Sequence, residues 1–131
     1  MTNQPYSDDP SIPNETALWR RIHPDWIVRD DNHAVWRVSS AAFDDSRDRS
    51  PLSVLVANVV IETGRTAGDV LVRFSGYGLA AITAGDARSL HQSVARTPTD
   101  DEPAHASVIG RKTLRVRRAL ASASAWVHCP K

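Results

Sequence analysis

One cysteine, two lysines and three glutamates are all that the 131 residues hold of those types. Cys129 therefore has no partner within the chain, which excludes the disulfide-stapled architecture of small secreted scaffolds. A charge surplus is missing too. Sixteen Lys and Arg face fifteen Asp and Glu, a formal net charge of +1, so the field of the whole molecule selects neither polyanions nor polycations. Long apolar runs are absent: the longest, residues 54–61, is eight positions long and is interrupted by Asn58, whereas a bilayer span needs about 18. Between Met1 and Asn14 no basic segment leads into an apolar one, so no secretory signal is expected. A cytoplasmic location without membrane association is the resulting expectation.

What is present fits one folded unit. A length of 131 residues matches a single domain, and a hydrophobic share of 41% with four tryptophans supplies a core. Three of the eight prolines (Pro5, Pro10, Pro13) lie in the first 14 residues. Residues 1–14 are accordingly expected to form a flexible arm, with a single α+β domain over residues 15–131. The bias toward Arg over Lys and Asp over Glu reads as the coding background of a GC-rich bacterial genome. Charge is also unevenly placed. Residues 111–131 carry Arg111, Lys112, Arg115, Arg117, Arg118 and Lys131 with no acid.

Periodicity predicts a first strand at Ala17 to Ile22, stopped by Pro24, which has no N–H to give. A turn at His23 to Trp26, a short extended piece and a polar turn around Asp30 to His33 follow. Val35 to Ser39 alternates as a half-buried strand, and Leu52 to Ile61 reads as a central strand or a buried helix. Thr66 with Asp69 and Thr83 with Asp86 each carry the spacing of a capping box. Ala104 to Ile109 is expected as a strand, and residues 112–125 as the longest helix, with Val116, Leu120, Ala123 and Val127 on one face. The expected class is α+β: a mixed or mostly antiparallel sheet with about three helices on one face, the longest at the C-terminus.

Candidate chemistry is spread along the chain. His23, His33, His91, His105, His128 and Cys129 make no H-x-x-x-H or C-x-x-C pair, so no metal site is expected. Gly64 to Gly68 has the outline of a phosphate-cradling turn but lacks the Gly-Lys-Ser/Thr ending. Arg111, Arg115 and Arg118 are expected along one face of a basic amphipathic helix, able to meet phosphates of a nucleic acid or a partner protein. His23, Ser39, Ser40 and His105 are the candidate catalytic residues, on the condition that they converge in space. Arg21, Arg37 and Phe43 are the candidate ligand contacts.

Three segments are familiar together: Leu18-Trp19-Arg20-Arg21-Ile22-His23-Pro24-Asp25-Trp26; Arg37-Val38-Ser39-Ser40-Ala41-Ala42-Phe43 with Leu52-Ser53-Val54; and Pro103-Ala104-His105-Ala106 running to Gly110-Arg111-Lys112-Thr113. They resemble a family of short uncharacterised bacterial proteins over about residues 17–127. The resemblance implies a bacterial cytosolic domain and no particular activity. A first-strand Arg (Arg20 or Arg21), a second-strand Ser (Ser39 or Ser40) and a later acid (Glu62 or Glu102) also resemble the layout of ADP-ribosyltransferase-like domains. That likeness implies NAD as substrate, with Phe43 or Tyr77 as an aromatic shelf. The leading expectation is a protein-binding or accessory module without a cofactor. It would associate with a protein partner or with itself through Trp26, Trp36, Arg111, Arg115 and Arg118, since Trp and Arg dominate interface hot spots.

Overall fold

In the computed structural model, residues 7–45 and 51–131 are described. Among them the chain forms β1 (Ala17–Ile22), β2 (Ile27–Asp30), β3 (Val35–Val38), β4 (Leu52–Val56), α1 (Ala57–Glu62), β5 (Gly78–Thr83), α2 (Ala84–Arg88), β6 (Ser93–Arg96), β7 (His105–Ile109), α3 (Leu114–Ala123) and β8 (Ala125–His128). Six strands make one antiparallel sheet in the order β6-β7-β4-β1-β5-β8, and β2 and β3 pair as a separate antiparallel ribbon. The α+β class, the three helices and the position of the longest one near the C-terminus agree with the sequence.

Alternation on the strands separates two cores. Leu18, Ile22, Val54, Ile82, Val94 and Val108 face one side, where Phe43, Leu120 and the ribbon's Ile27 and Val38 complete the larger cluster. Trp19, Leu55 and Leu79 face the other, beneath Ala57, Val60 and Val70. Helices thus lie on both faces, not on one. The reason sits in residues 52–61, expected as one element. Alternation ends at Val56, and the apolar spacing then becomes helical, with Ala57 and Val60 buried and Asn58 and Ile61 exposed. The strand therefore turns directly into α1 and carries that helix to the second face.

Capping predictions meet different fates. Thr83 and Asp86 form the full reciprocal box that opens α2. Thr66 and Asp69 make the same pair of bonds, yet only a 3-10 turn at Asp69–Leu71 follows. The expected C-terminal helix is trimmed at both ends. Thr113 caps it by accepting a hydrogen bond from the Val116 N–H (3.2 Å), and Ser124 is extended. Beyond Ser124 the residues 125–128 pair with β5, so Val127 belongs to a strand and not to the helix's apolar face.

Residues 1–6 lie outside the described residues, but part of the expected arm is within them. Arg88 on α2 donates from Nε to Asp8 Oδ1 (3.0 Å), from Nη1 to the Ile12 carbonyl (2.8 Å) and Asn14 Oδ1 (2.7 Å), and from Nη2 to the Asp9 carbonyl (2.8 Å). The Asp9 N–H donates to the Val94 carbonyl (2.8 Å), and Asp8 Oδ1 accepts from the Val94 N–H (2.9 Å). This segment covers the outer edge of β6, which would otherwise present unpaired backbone groups. At the opposite end of the sheet, β8 has no strand on its outer side among the described residues. No helix among the described residues is long and apolar enough to cross a membrane.

Candidate functional site

The ribbon and α3 stand apart over the end of the sheet, and an open cleft of about 620 Å³ lies between them. One wall is the end of β3 and the 3-10 turn after it: Trp36, Arg37, Val38, Ser39 and Ser40. The other is the C-terminal half of α3 with the start of β8: Arg118, Ala121, Ser122, Ser124 and Trp126. The volume lies within the range of small-ligand pockets, about 300–1,000 Å³.

The walls are positioned by hydrogen bonds to the backbone and by close packing. The Trp126 indole Nε1–H donates to the Trp36 carbonyl (3.0 Å), which joins β8 to the ribbon. Ser39 caps the 3-10 turn at Ser40–Phe43 by accepting from the Ala41 N–H (3.2 Å). Ser124 Oγ donates to the Ala121 carbonyl (2.7 Å) and ends α3. Gly78 on β5 lets Trp126 sit close, because a Cβ there would come within 2.6 Å of the indole. Two serines are thus used by the scaffold, whereas Ser40 and Ser122 make no side-chain hydrogen bond among the described residues.

Electrostatically the cleft is one-sided. Arg37 and Arg118 are both exposed and form no ion pair among the described residues, and no acid lines the walls. Lys131 Nζ lies 5.4 Å and the Arg29 guanidinium 5.6 Å from the centre of the Trp36 ring, which adds cations around the same wall. Other basic residues of the C-terminal segment are occupied. The Lys112 side chain is 1% exposed, its Nζ donating to Asp45 Oδ2 (3.0 Å) and to the carbonyls of Val108 (3.0 Å) and Gly110 (2.9 Å). Burial pushes its pKa down, opposed by the Asp45 carboxylate. Arg117 turns back to the Lys112 carbonyl (3.1 Å) and lies 3.7 Å from Asp44. Arg111 precedes α3, so it does not share a helix face with Arg115 and Arg118, although all three are exposed.

The four candidate catalytic residues do not meet. Ser39 and Ser40 line the cleft. His23 caps the 3-10 turn at Pro24–Trp26, its Nδ1 accepting from the Asp25 N–H (3.0 Å), and packs its ring against Trp26 and Tyr77 at 5.7 and 5.2 Å. His105 lies on β7 opposite Leu55, on the other side of the sheet. The physical reason is parity: His105 and Leu55 are register partners, so they share a face, while Val54 one residue earlier faces the ribbon. Among the ligand candidates only Arg37 belongs to the cleft. Phe43 is fully buried and touches no solvent. Arg21 lies on the far face, its Nε donating to the Val70 carbonyl (2.7 Å). Trp26 is half-buried, packed on the larger core with the Arg20 guanidinium over it at 5.7 Å. Trp126 is half-buried, packed against the larger core and forming part of the cleft wall.

The elements of the ADP-ribosyltransferase-like layout are likewise apart. Arg20 spends its guanidinium on the carbonyls of Ala42 and Ser53 (both 3.0 Å). Glu102 is bound through both oxygens to Arg65 (2.7 Å each) and accepts from the Ala104 N–H (3.1 Å). Glu62 is exposed at the end of α1. Among the described residues no group of three or more His, Cys, Asp or Glu side chains is placed to hold a metal ion. The residues that sequence reasoning missed are Ser122, Ser124 and Trp126; their signal was concealed because residues 112–125 read as one uninterrupted helix. No protein-family model, curated protein or solved structure matches the chain.

Proposed function

We propose that this domain is a binding module that captures an extended, anionic segment of a protein partner in the cleft between the ribbon and α3. The observation that carries the proposal is the pairing of two arginines without a partner among the described residues, Arg37 and Arg118, with two tryptophan walls in an opening that no described acid lines. Arginine offers a planar fork of donors to carboxylate or phosphoryl oxygens. Trp36 and Trp126 add rigid apolar area, and Ser40 and Ser122 add free hydroxyls. The open shape suits a segment that passes through. The neighbouring β8 has a backbone edge with no ladder partner among the described residues, so an extended peptide can lie along it.

The alternatives have less support. A nucleic-acid surface would draw on the whole basic C-terminal segment, but Lys112 and Arg117 are already engaged internally. An NAD-consuming centre would need Arg21, Ser39 or Ser40 and Glu102 together, and they occupy different faces. A cytosolic bacterial setting accords with the single unpaired Cys129 and belongs to the same proposal.

The test is a peptide array read by tryptophan fluorescence. Extended peptides bearing consecutive aspartates or phosphoserines should change the emission, neutral counterparts should not, and Arg118→Glu should abolish the response. Equal responses to acidic and neutral peptides, or an unaltered response in Arg118→Glu, would contradict the proposal.

A further inference from the structure

On the face of the sheet away from the cleft, β1 and β4 are ladder partners at only two positions, Leu18–Val56 and Trp19–Leu55, whereas β1 pairs with β5 at six. Beyond Trp19 the two strands part, and Arg20 bridges the gap through its hydrogen bond to the Ser53 carbonyl. A depression of about 60 Å³ opens there, between residues 19–21 of β1 and 53–55 of β4, with His105 of β7 beside it. Water occupies about 30 Å³ per molecule, so the space suits a small tetrahedral ion and excludes a drug-sized ligand.

Three side chains in it have polar capacity left over. His105 Nδ1 lies 3.0 Å from the Thr97 carbonyl oxygen and 2.8 Å from Thr97 Oγ1, which in turn bonds Ser107 Oγ (2.9 Å). A carbonyl only accepts, so the proton sits on Nδ1 and the ring's Nε2 is left for a ligand. Arg21 uses only Nε, on the Val70 carbonyl, among the described residues, and its guanidinium is laid over the Phe74 ring at 4.3 Å. Its terminal nitrogens therefore remain available in a fixed plane. Ser53 is exposed and its hydroxyl makes no bond among the described residues. The charged groups nearby are Arg65 and Glu102, which neutralise one another through their paired hydrogen bonds. Arg21 brings a further cation to the depression; burial lowers its pKa, and the field of the Glu102 carboxylate opposes that shift.

We propose that Arg21, Ser53 and His105 form a second binding site, distinct from the cleft, that takes a phosphoryl-type oxyanion. Arg21 supplies the charge and a two-pronged donor, Ser53 a hydroxyl, and His105 Nε2 an acceptor for P–OH or, once protonated, a donor to P–O⁻. The ligand class is inorganic phosphate or the terminal group of a phosphomonoester.

The experiment follows the imidazole signals of all five histidines by long-range ¹H–¹⁵N NMR while inorganic phosphate, and separately methyl phosphate, is added. Phosphate should shift the His105 signals and leave those of the other histidines in place. Ser53→Ala and Arg21→Lys should each weaken binding roughly tenfold, the effect of about one charge-assisted hydrogen bond. Because Arg21 also supports packing, Ser53→Ala at its exposed position decides the matter if the Arg21 variant fails to fold. Binding of methyl phosphate assigns the site to an ester-linked group, and binding of phosphate alone assigns it to the free ion; either supports the site. An unmoved His105 at tens of millimolar of both compounds overturns the proposal, and so does phosphate binding that is lost in Arg37→Gln or Arg118→Gln but kept in Ser53→Ala.

Discussion

Replacing Glu102 by Gln gives a perturbation whose size and pH dependence both follow from geometry. Both carboxylate oxygens accept from Arg65 at 2.7 Å, and one also accepts from the Ala104 N–H at 3.1 Å. Glutamine keeps one acceptor and turns its amide N–H₂ toward the guanidinium, so at least one charge-assisted bond is lost. Fully exposed pairs contribute about 0–1 kcal/mol and bonds to charged groups about 1.5–3 kcal/mol. With side chains 28% and 18% exposed, this pair falls between those limits, at about 2 kcal/mol. That corresponds to a fall in Tm of roughly 6–10 °C for a domain of this size. The Arg65 hydrogen bonds hold the Glu102 pKa below its ordinary value. The stabilisation is therefore fully present above the ordinary carboxylate pKa and is lost as pH falls through the depressed one. Thermal unfolding followed by circular dichroism should show the gap between wild type and Glu102→Gln at pH 7 closing in strong acid. A gap that is absent at pH 7, or that is the same at pH 3 as at pH 7, refutes the reasoning.

Gly78→Ala should push Trp126 out of the cleft wall, since the new methyl carbon would lie 2.6 Å from the indole and 3.0 Å from the His128 carbonyl; a changed Trp emission spectrum and weakened ligand binding check it. Lys112→Met removes a buried ammonium and takes its hydrogen bond from the Asp45 carboxylate, so urea unfolding should report a loss of about 3–5 kcal/mol, with Asp45→Asn costing less. Arg88→Ala strips four hydrogen bonds from the segment Asp8 to Asn14. Hydrogen exchange and proteolysis should accelerate in that segment while the central strands keep their protection.

The parts of the fold that could be read from the sequence are those governed by short-range rules. Period-two alternation located β1, β3 and β7, and Thr83 with Asp86 located the start of α2. The missed elements are the ones that tertiary contacts decide. Residues 125–128 carry helix-compatible alanines just before them, but their backbone is taken up by β5. β6 is four residues long and exists through pairing with β7 and the bonds from Asp8 and Asp9. The same limit applied to the site. Ser39, Ser40, Arg37, Trp36 and Arg118 were singled out for three different chemistries, and the fold brings those five to one cleft. His105 was expected beside them, and strand parity put it on the opposite face. Thr66 with Asp69 shows that a complete capping pair does not by itself extend a helix: only the 3-10 turn Asp69–Leu71 follows, with Val70 buried and Val72 80% exposed.

The cleft as an anion-binding groove is tested most directly by following the Trp36 and Trp126 indole N–H signals in ¹H–¹⁵N spectra as an aspartate- or phosphoserine-bearing peptide is added to wild type and to Arg37→Glu/Arg118→Glu. Capture in the groove predicts saturable shifts of both indole signals in the wild type, weakening with added salt and absent from the double variant. Shifts that persist undiminished in the double variant, or wild-type indole signals that stay fixed while the peptide binds elsewhere, would contradict it.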